Sequence, residues 1–196
     1  MPAFRFALRS TLSAALAAAC SVAAAAPAVY EIDPAHTFPS FEADHMGMSS
    51  WRGKFNGSSG EIALDKAAGK GSVKVVIDAS SIDFGLDAMN DKARGDELFD
   101  TAKFPQATYT GTLADFRDGM PTKVRGQLTL HGVTRPLDLD IARFKCMPHP
   151  LNKRDWCGAD ASATFRRDEF GIDAGKDWGF DMNVTLRIQV EAVAKQ

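Results

Sequence analysis

Residues 123–141, KVRGQLTLHGVTRPLDLDI, decide the fold. In the first half Val124, Gly126, Leu128 and Leu130 fall on one side of an extended chain. Lys123, Arg125, Gln127, Thr129 and His131 fall on the other. Successive side chains of a strand point to opposite faces, so this is a strand with one dry and one wet face. A turn at Gly132-Val133-Thr134 follows, and Leu137, Leu139 and Ile141 then alternate with Asp138 and Asp140. The pattern belongs to antiparallel sheet, because parallel strands are covered on both faces and form unbroken apolar runs.

The same period recurs outward from this stretch. Towards the C-terminus, Ala159, Ala161, Ala163 and Phe165 alternate with Asp160, Ser162, Thr164 and Arg166. Val184, Leu186, Ile188 and Val190 alternate with Thr185, Arg187, Gln189 and Glu191. Towards the N-terminus, strands are predicted over 29–32, 37–45, 52–64 (with a break at Asn56-Gly57), 73–79 and 107–116. Turns are predicted at Lys70-Gly71, Asp118-Gly119 and His131-Gly132. One segment, DAMNDKARGDELF over 87–99, has helical character and predicts a short helix, a kink at Gly95 and a further helical turn. About eight strands with one apolar face each make an all-β domain, either a closed barrel or a sandwich. Gly111, Gly126, Ala159, Ala161 and Ala163 on the dry face serve either close sheet packing or an unfilled lumen.

The chain ahead of these strands carries a different signal. Arg5 and Arg9 precede an apolar stretch from Ser10 to Val22, and small residues Ala23 to Ala26 follow. That order is a secretory leader, expected over 1–26 and removed, leaving 27–196 as one domain in the periplasm. The apolar stretch is shorter than the ~20 residues of a membrane span, and no second candidate span follows. Leu16-Ala17-Ala18-Ala19-Cys20 loosely resembles a lipoprotein box, but its leucine stands one position too far from Cys20.

Loss of the leader leaves 21 basic against 25 acidic side chains, a net charge near −4. Nucleic acid, which needs a basic surface, is excluded as a partner. Cys20 leaves as well, so Cys146 and Cys157 remain as a pair in an oxidising compartment. They bracket a loop containing Pro148 and Pro150 and are expected to form a disulfide worth roughly 3 kcal/mol on the loop-entropy account. Two free buried thiols are the alternative. A metal site from this pair and His149 lacks a fourth ligand.

No catalytic constellation emerges. His36 and His45 lie an odd number of positions apart in an extended segment, so their side chains take opposite faces and no shared metal is expected. His131 precedes a turn glycine and is expected to face solvent. Asp168, Glu169, Asp173 and Asp177 have no nucleophile or base partner and are expected as solvated loop charges; the run 173–179 lacks calcium-loop spacing. The aromatic set is more telling. Phe38, Phe41, Trp51, Phe55, Phe84, Phe99, Phe104 and Phe170 serve either the core or a pore mouth covered by the 87–99 segment.

Several stretches together resemble the YceI-like family of periplasmic lipid-binding proteins. They are Ile32-Asp33-Pro34-Ala35-His36-Thr37 with Phe41 and His45, then Gly53-Lys54-Phe55. Arg94-Gly95-Asp96-Glu97-Leu98-Phe99-Asp100 leads on to Phe104-Pro105, and residues 126–137 follow. Arg167-Asp168-Glu169-Phe170-Gly171-Ile172 completes the set. They occur in the family's order across nearly the whole mature chain. The departures are Glu97, where the family commonly has histidine, and the Cys146–Cys157 loop.

The resemblance implies an antiparallel eight-stranded lipocalin-like barrel with a short helical insert and an elongated apolar pore able to hold a polyisoprenoid. It favours the lumen over the sandwich. It also implies a non-enzymatic carrier with no resident cofactor, whose cargo is a long-chain isoprenoid or quinone-like lipid. An envelope enzyme acting on such a lipid and a stress-related interaction protein are the alternatives. Candidate ligand contacts are Phe41, His45, Phe55 and Phe84 in the N-terminal half, with Met89, Arg94, Phe99 and Phe104 in and after the helical insert. Leu128, Phe165 and Phe170 are the later candidates, and Arg94 is the candidate head-group contact. Enclosing ~500 Å² of isoprenoid at ~25 cal/mol/Å² gives about 12 kcal/mol before association costs, with few polar contacts needed. An apolar rim around such a mouth favours a homodimer.

Overall fold

A computed structural model describes residues 26–196. The expected leader, apart from its last residue, lies outside the described residues, as does Cys20. The first strands are β1 (Ala28–Ile32), β2 (Phe38–His45), β3 (Ser49–Phe55), β4 (Ser58–Asp65), β5 (Lys70–Asp78) and β6 (Ile82–Asp83). Helix α1 (Asp87–Arg94) follows. Then come β7 (Gln106–Ala114), β8 (Lys123–Leu130), β9 (Val133–Pro136), β10 (Leu139–Pro148), β11 (Asp155–Arg166) and β12 (Asn183–Ala194).

Eight of these strands run β1-β4-β5-β7-β8-β10-β11-β12 around a ring, each antiparallel to its neighbours, and β12 returns to β1 to close it. The fold is the expected antiparallel eight-stranded barrel with one short helix. Closure removes the free edges that an open sheet exposes.

Along its edge away from β11, β12 serves two partners, and this shapes the barrel. Its end pairs with β1 (Tyr30 opposite Ala194), while its earlier part pairs with β2 (Phe41 opposite Leu186). The chain steps from β1 to β2 through a turn in which Asp33 accepts from the Ala35 amide and from His36 Nδ1. Thr37, 2% exposed, pins the step: its hydroxyl donates to the Glu191 carbonyl and accepts from the Glu191 amide. One end of the barrel is therefore shut by β1. At the other, β2 and β3 extend past the ring, with β6 paired on β3.

The predicted turns hold at Asp118-Gly119 and His131-Gly132, where both residues of each pair take positive φ. This is the mirror-image turn whose twist matches a β-hairpin. The turn predicted at Lys70-Gly71 lies instead just before them, at Gly69 (φ +61). Gly71 sits inside β5, where a Cβ would lie 2.5 Å from the Ala63 carbonyl oxygen. The helical segment also differs: α1 ends at Arg94, and after Gly95 the chain makes a hydrogen-bonded turn instead of more helix, with Leu98 and Asp100 amides donating to the Gly95 carbonyl.

The small inward residues have two fates. Gly111 and Gly126 face each other across β7 and β8, and Tyr109 lies over the gap, its hydroxyl donating to the Leu137 carbonyl. A Cβ on Gly126 would stand 2.4 Å from Tyr109 Oη. Ala159 and Ala161 border open space instead. On the β10–β11 hairpin Cys146 is directly opposite Cys157, with the sulfurs 2.01 Å apart.

Candidate functional site

The inward side chains do not fill the barrel. A cavity of about 840 Å³ occupies the lumen. Val73 and Val75 of β5 and Leu186, Ile188 and Val190 of β12 occupy inward positions yet are only half-buried, because they face this space. Tyr30 and Leu64, 2% and 3% exposed, pack tightly at the β1 end, beyond the residues that line the cavity. Tyr30 is tied there by its hydroxyl, which donates to Asp155 at 2.7 Å. Burial first, then Asp155, raises that phenol well above its ordinary pKa.

The mouth is built from three segments. The β2–β3 hairpin supplies Asp44, His45 and Trp51; α1 and the turn after it supply Met89, Lys92, Glu97 and Leu98. The loop between β11 and β12 supplies Asp173, Gly175, Trp178 and Phe180. Aromatic rings run continuously along one side. His45 stacks on Trp51 at 4.5 Å and meets Phe180 edge-on at 5.4 Å. Trp51 contacts Phe84, Phe84 contacts Phe41, Phe41 contacts Phe55 and Phe55 contacts Phe99, with centroids 5.5–6.3 Å apart. Edge-to-face packing of this kind adds to simple area burial and fixes ring positions.

Eight of the sequence-derived candidates come together on the cavity wall: Phe41, His45, Phe55, Phe84, Met89, Phe99, Leu128 and Phe165. Three do not. Arg94 lies outside, with Nε donating to the Ser80 carbonyl at 2.9 Å and Nη1 to Asp91 at 2.8 Å. The Ser80 bond holds the insert onto the barrel, and the Asp91 bond, within α1, turns the guanidinium along the helix and off the cavity wall. Phe104 packs on the His131 ring at 4.4 Å and against Gly132. Phe170 is 1% exposed and sits edge-on to Phe165 behind the wall. His131, expected to face solvent, is instead clamped between these two: Nδ1 donates to the Phe170 carbonyl at 3.1 Å, while Nε2 is buried with no protein partner.

The mouth loop was missed because its charges read as solvated. Trp178 and Phe180, two aromatics in an otherwise charged and glycine-rich run, were the available signal. Gly175 is at φ +81, and a Cβ there would lie 2.7 Å from the Phe180 ring. Arg167 was also missed as a wall residue. Its guanidinium donates to the carbonyls of Ile172 and Ala174 at 3.0 and 2.7 Å and so folds the loop over the mouth. Burial draws its pKa down, against the pull of Asp168 and Asp173.

Comparison with known proteins places this geometry. The YceI-like domain model matches residues 30–192. Protein YceI of Escherichia coli is 31% identical over 180 residues, covering 90% of this chain and 92% of its own. A UPF0312 protein of Shewanella baltica is 31% identical over 191 residues, covering 96% and 98%. Among solved structures, Burkholderia cenocepacia BcnA has a TM-score of 0.66 at 24% identity, covering 82% of this chain and 98% of that one. A polyisoprenoid binding domain from Saccharophagus degradans, implicated in plant cell wall breakdown, has a TM-score of 0.59 at 21% identity, covering 86% and 99%. The two structures share the fold, and the sequence relatives span the whole barrel with its mouth loops. The chain belongs to the YceI-like family.

Proposed function

We propose that this chain is exported to the periplasm and there carries a long-chain polyisoprenoid, or an amphiphilic lipid of similar shape, without transforming it. The observation that carries this reading is the lumen of about 840 Å³, apolar along its walls and open at one end. Its lining extends from His45 and Trp178 at the mouth to Leu113 and Phe144 near the floor, which suits a long chain better than a compact ligand. Its volume lies toward the upper end of the ~300–1,000 Å³ common for small-molecule sites. The likeness to a polyisoprenoid binding domain supports the same ligand class.

Polar groups on the wall favour holding over turnover. Tyr109 is committed to the Leu137 carbonyl, and Arg167 to two loop carbonyls. An oxidising compartment suits the Cys146–Cys157 pair as a structural disulfide. Cargo of this kind is insoluble in the aqueous space between membranes, so a carrier there needs an enclosed apolar lumen more than it needs reactive groups.

Native mass spectrometry and solvent extraction of protein purified without detergent test the proposal. The expected result is a retained apolar ligand, or uptake of an added isoprenoid alcohol. Affinity should rise about fourfold per added CH₂, following ~0.8 kcal/mol per buried methylene, until the lumen is full. Protein that neither retains nor takes up any apolar chain overturns the reading.

A further inference from the structure

Large apolar side chains surround the opening of the lumen and face water. Met46 and Met48 stand at the tip of the β2–β3 hairpin, Leu86 ahead of α1 and Trp178 on the β11–β12 loop. All four are exposed, Met48 at 84% and Trp178 at 76%. Each of the three segments that build the mouth thus presents at least one of them. The ring is continuous with the lumen, because Trp51 and Trp178 are exposed and also line the cavity. Single exposed apolar residues are ordinary, whereas a set that encircles an opening marks an interaction surface.

Two of these residues occupy positions where the backbone calls for a polar one. Met46 and Gly47 take φ +54 and +70, and the Met48 amide donates to the His45 carbonyl at 3.0 Å to close the turn. Such a turn favours asparagine, aspartate or glycine at both central positions. The other non-glycine residues with positive φ among the described residues are aspartates, a histidine and a lysine. Leu86 is the N-cap of α1 and makes no side-chain capping bond, at a position that favours serine, threonine, aspartate or asparagine. Local rules broken in this way, twice on one rim, point to a surface kept apolar for contact.

Charge selects what that contact is. Residues 44–52, 83–100 and 166–181, which hold these side chains, carry twelve acidic against six basic side chains, with every cation counted in full. Two copies docked mouth to mouth oppose equal negative charge, and an anionic surface is repelled in the same way. A zwitterionic lipid surface carries no such penalty. Tryptophan also settles at the boundary between head groups and acyl chains, where one side of the ring is apolar and the other wet.

Building on the lipid-carrier reading, we propose that the mouth face docks reversibly on the surface of a phospholipid bilayer without net charge. Met46, Met48, Leu86 and Trp178 enter the head-group region, as the apolar face of an interfacial helix does. The lumen then opens onto acyl chains, and a lipid passes in or out without crossing water.

The test is flotation of the purified protein with phosphatidylcholine vesicles, read also by the blue shift of tryptophan fluorescence. Wild type should float with them. Met48→Ser with Leu86→Ser should lower the partition coefficient about tenfold or more. Neither side chain lines the cavity, so uptake of dodecanol from solution should be unchanged. Met46→Asn should lower partition while keeping or raising the melting temperature, because asparagine suits the turn. Leu151→Ser, on the β10–β11 hairpin at the opposite end and 88% exposed, should change nothing. Replacing part of the phosphatidylcholine by phosphatidylglycerol should weaken binding severalfold at about 20 mM ionic strength, and far less at about 0.5 M. Wild type that binds dodecanol but stays off neutral vesicles overturns the docking and leaves the lipid-carrier reading standing. Partition that the mouth variants leave intact, or that Leu151→Ser lowers equally, overturns the docking as well. Dimerisation abolished by the mouth variants, without vesicle binding, assigns the rim to a second copy and overturns it too. Failure of dodecanol and vesicles alike overturns both readings.

Discussion

At Gly126 no other residue fits, because Tyr109 lies directly over it. A Cβ there would also stand 2.6 Å from the Thr110 carbonyl oxygen, so neither neighbour yields without moving the strand. Gly126→Ala should cost about 1–3 kcal/mol and lower the melting temperature, measured by thermal denaturation. Asp168 governs a different condition. Arg166 and Lys176 donate to its Oδ2 at 2.7 and 2.9 Å and hold its carboxyl at about 2. Because the folded value lies below the ~3.9 of an unfolded aspartate, the stabilisation is present above that value and is lost as pH falls from about 4 towards 2. Urea midpoints measured from pH 5 to 2 should show this loss, and Asp168→Asn should flatten that part of the profile. Neither residue announced its role in the sequence. Gly126 stood out as a small member of an apolar face, but the ring above it arrives diagonally from another strand, and no periodicity encodes that.

Among the elements, α1 depends on one buried side chain. Its N-cap is Leu86, which offers no capping hydrogen bond. Asn90, 7% exposed, compensates by accepting from the Phe84 amide at 2.7 Å and joining the helix to β6. Asn90→Ala leaves that amide unsatisfied in a part-buried site and should cost about 1–3 kcal/mol, felt locally. Hydrogen exchange should quicken at residues 84–99 while the β11–β12 ladder stays protected; uniform loss of protection would contradict a local role. Strands were far easier to anticipate than this segment. Each long strand buries one face, so its alternation survives in the residue order, and residues 123–141 alone carry the hairpin. The insert has charged residues on most sides, and its orientation is set by Asn90 and by Arg94 reaching Ser80, contacts that link separate parts of the chain. For that reason Arg94 resembled a head-group contact in the sequence and is a brace in the fold.

For the whole molecule, the central issue is the unfilled lumen. Composition left the small inward residues open to two readings, and both occur: Gly111 and Gly126 admit a ring, whereas Ala159 and Ala161 leave space. Ala161 lies opposite Ile188 and Ile141, midway along the cavity. Ala161→Phe should fill this part of the lumen, raise or preserve the melting temperature, and weaken binding of a dodecyl or longer chain at least about tenfold. Equal affinity for wild type and variant would place the ligand elsewhere. The double duty of β12 carries a last consequence. Since Ala28 and Ala194 both sit at the end shut by β1, the described chain enters and leaves the barrel on the side away from the mouth. An anchor or affinity handle joined at either end would hold the protein by its base and leave the opening pointed outward, free to exchange its contents.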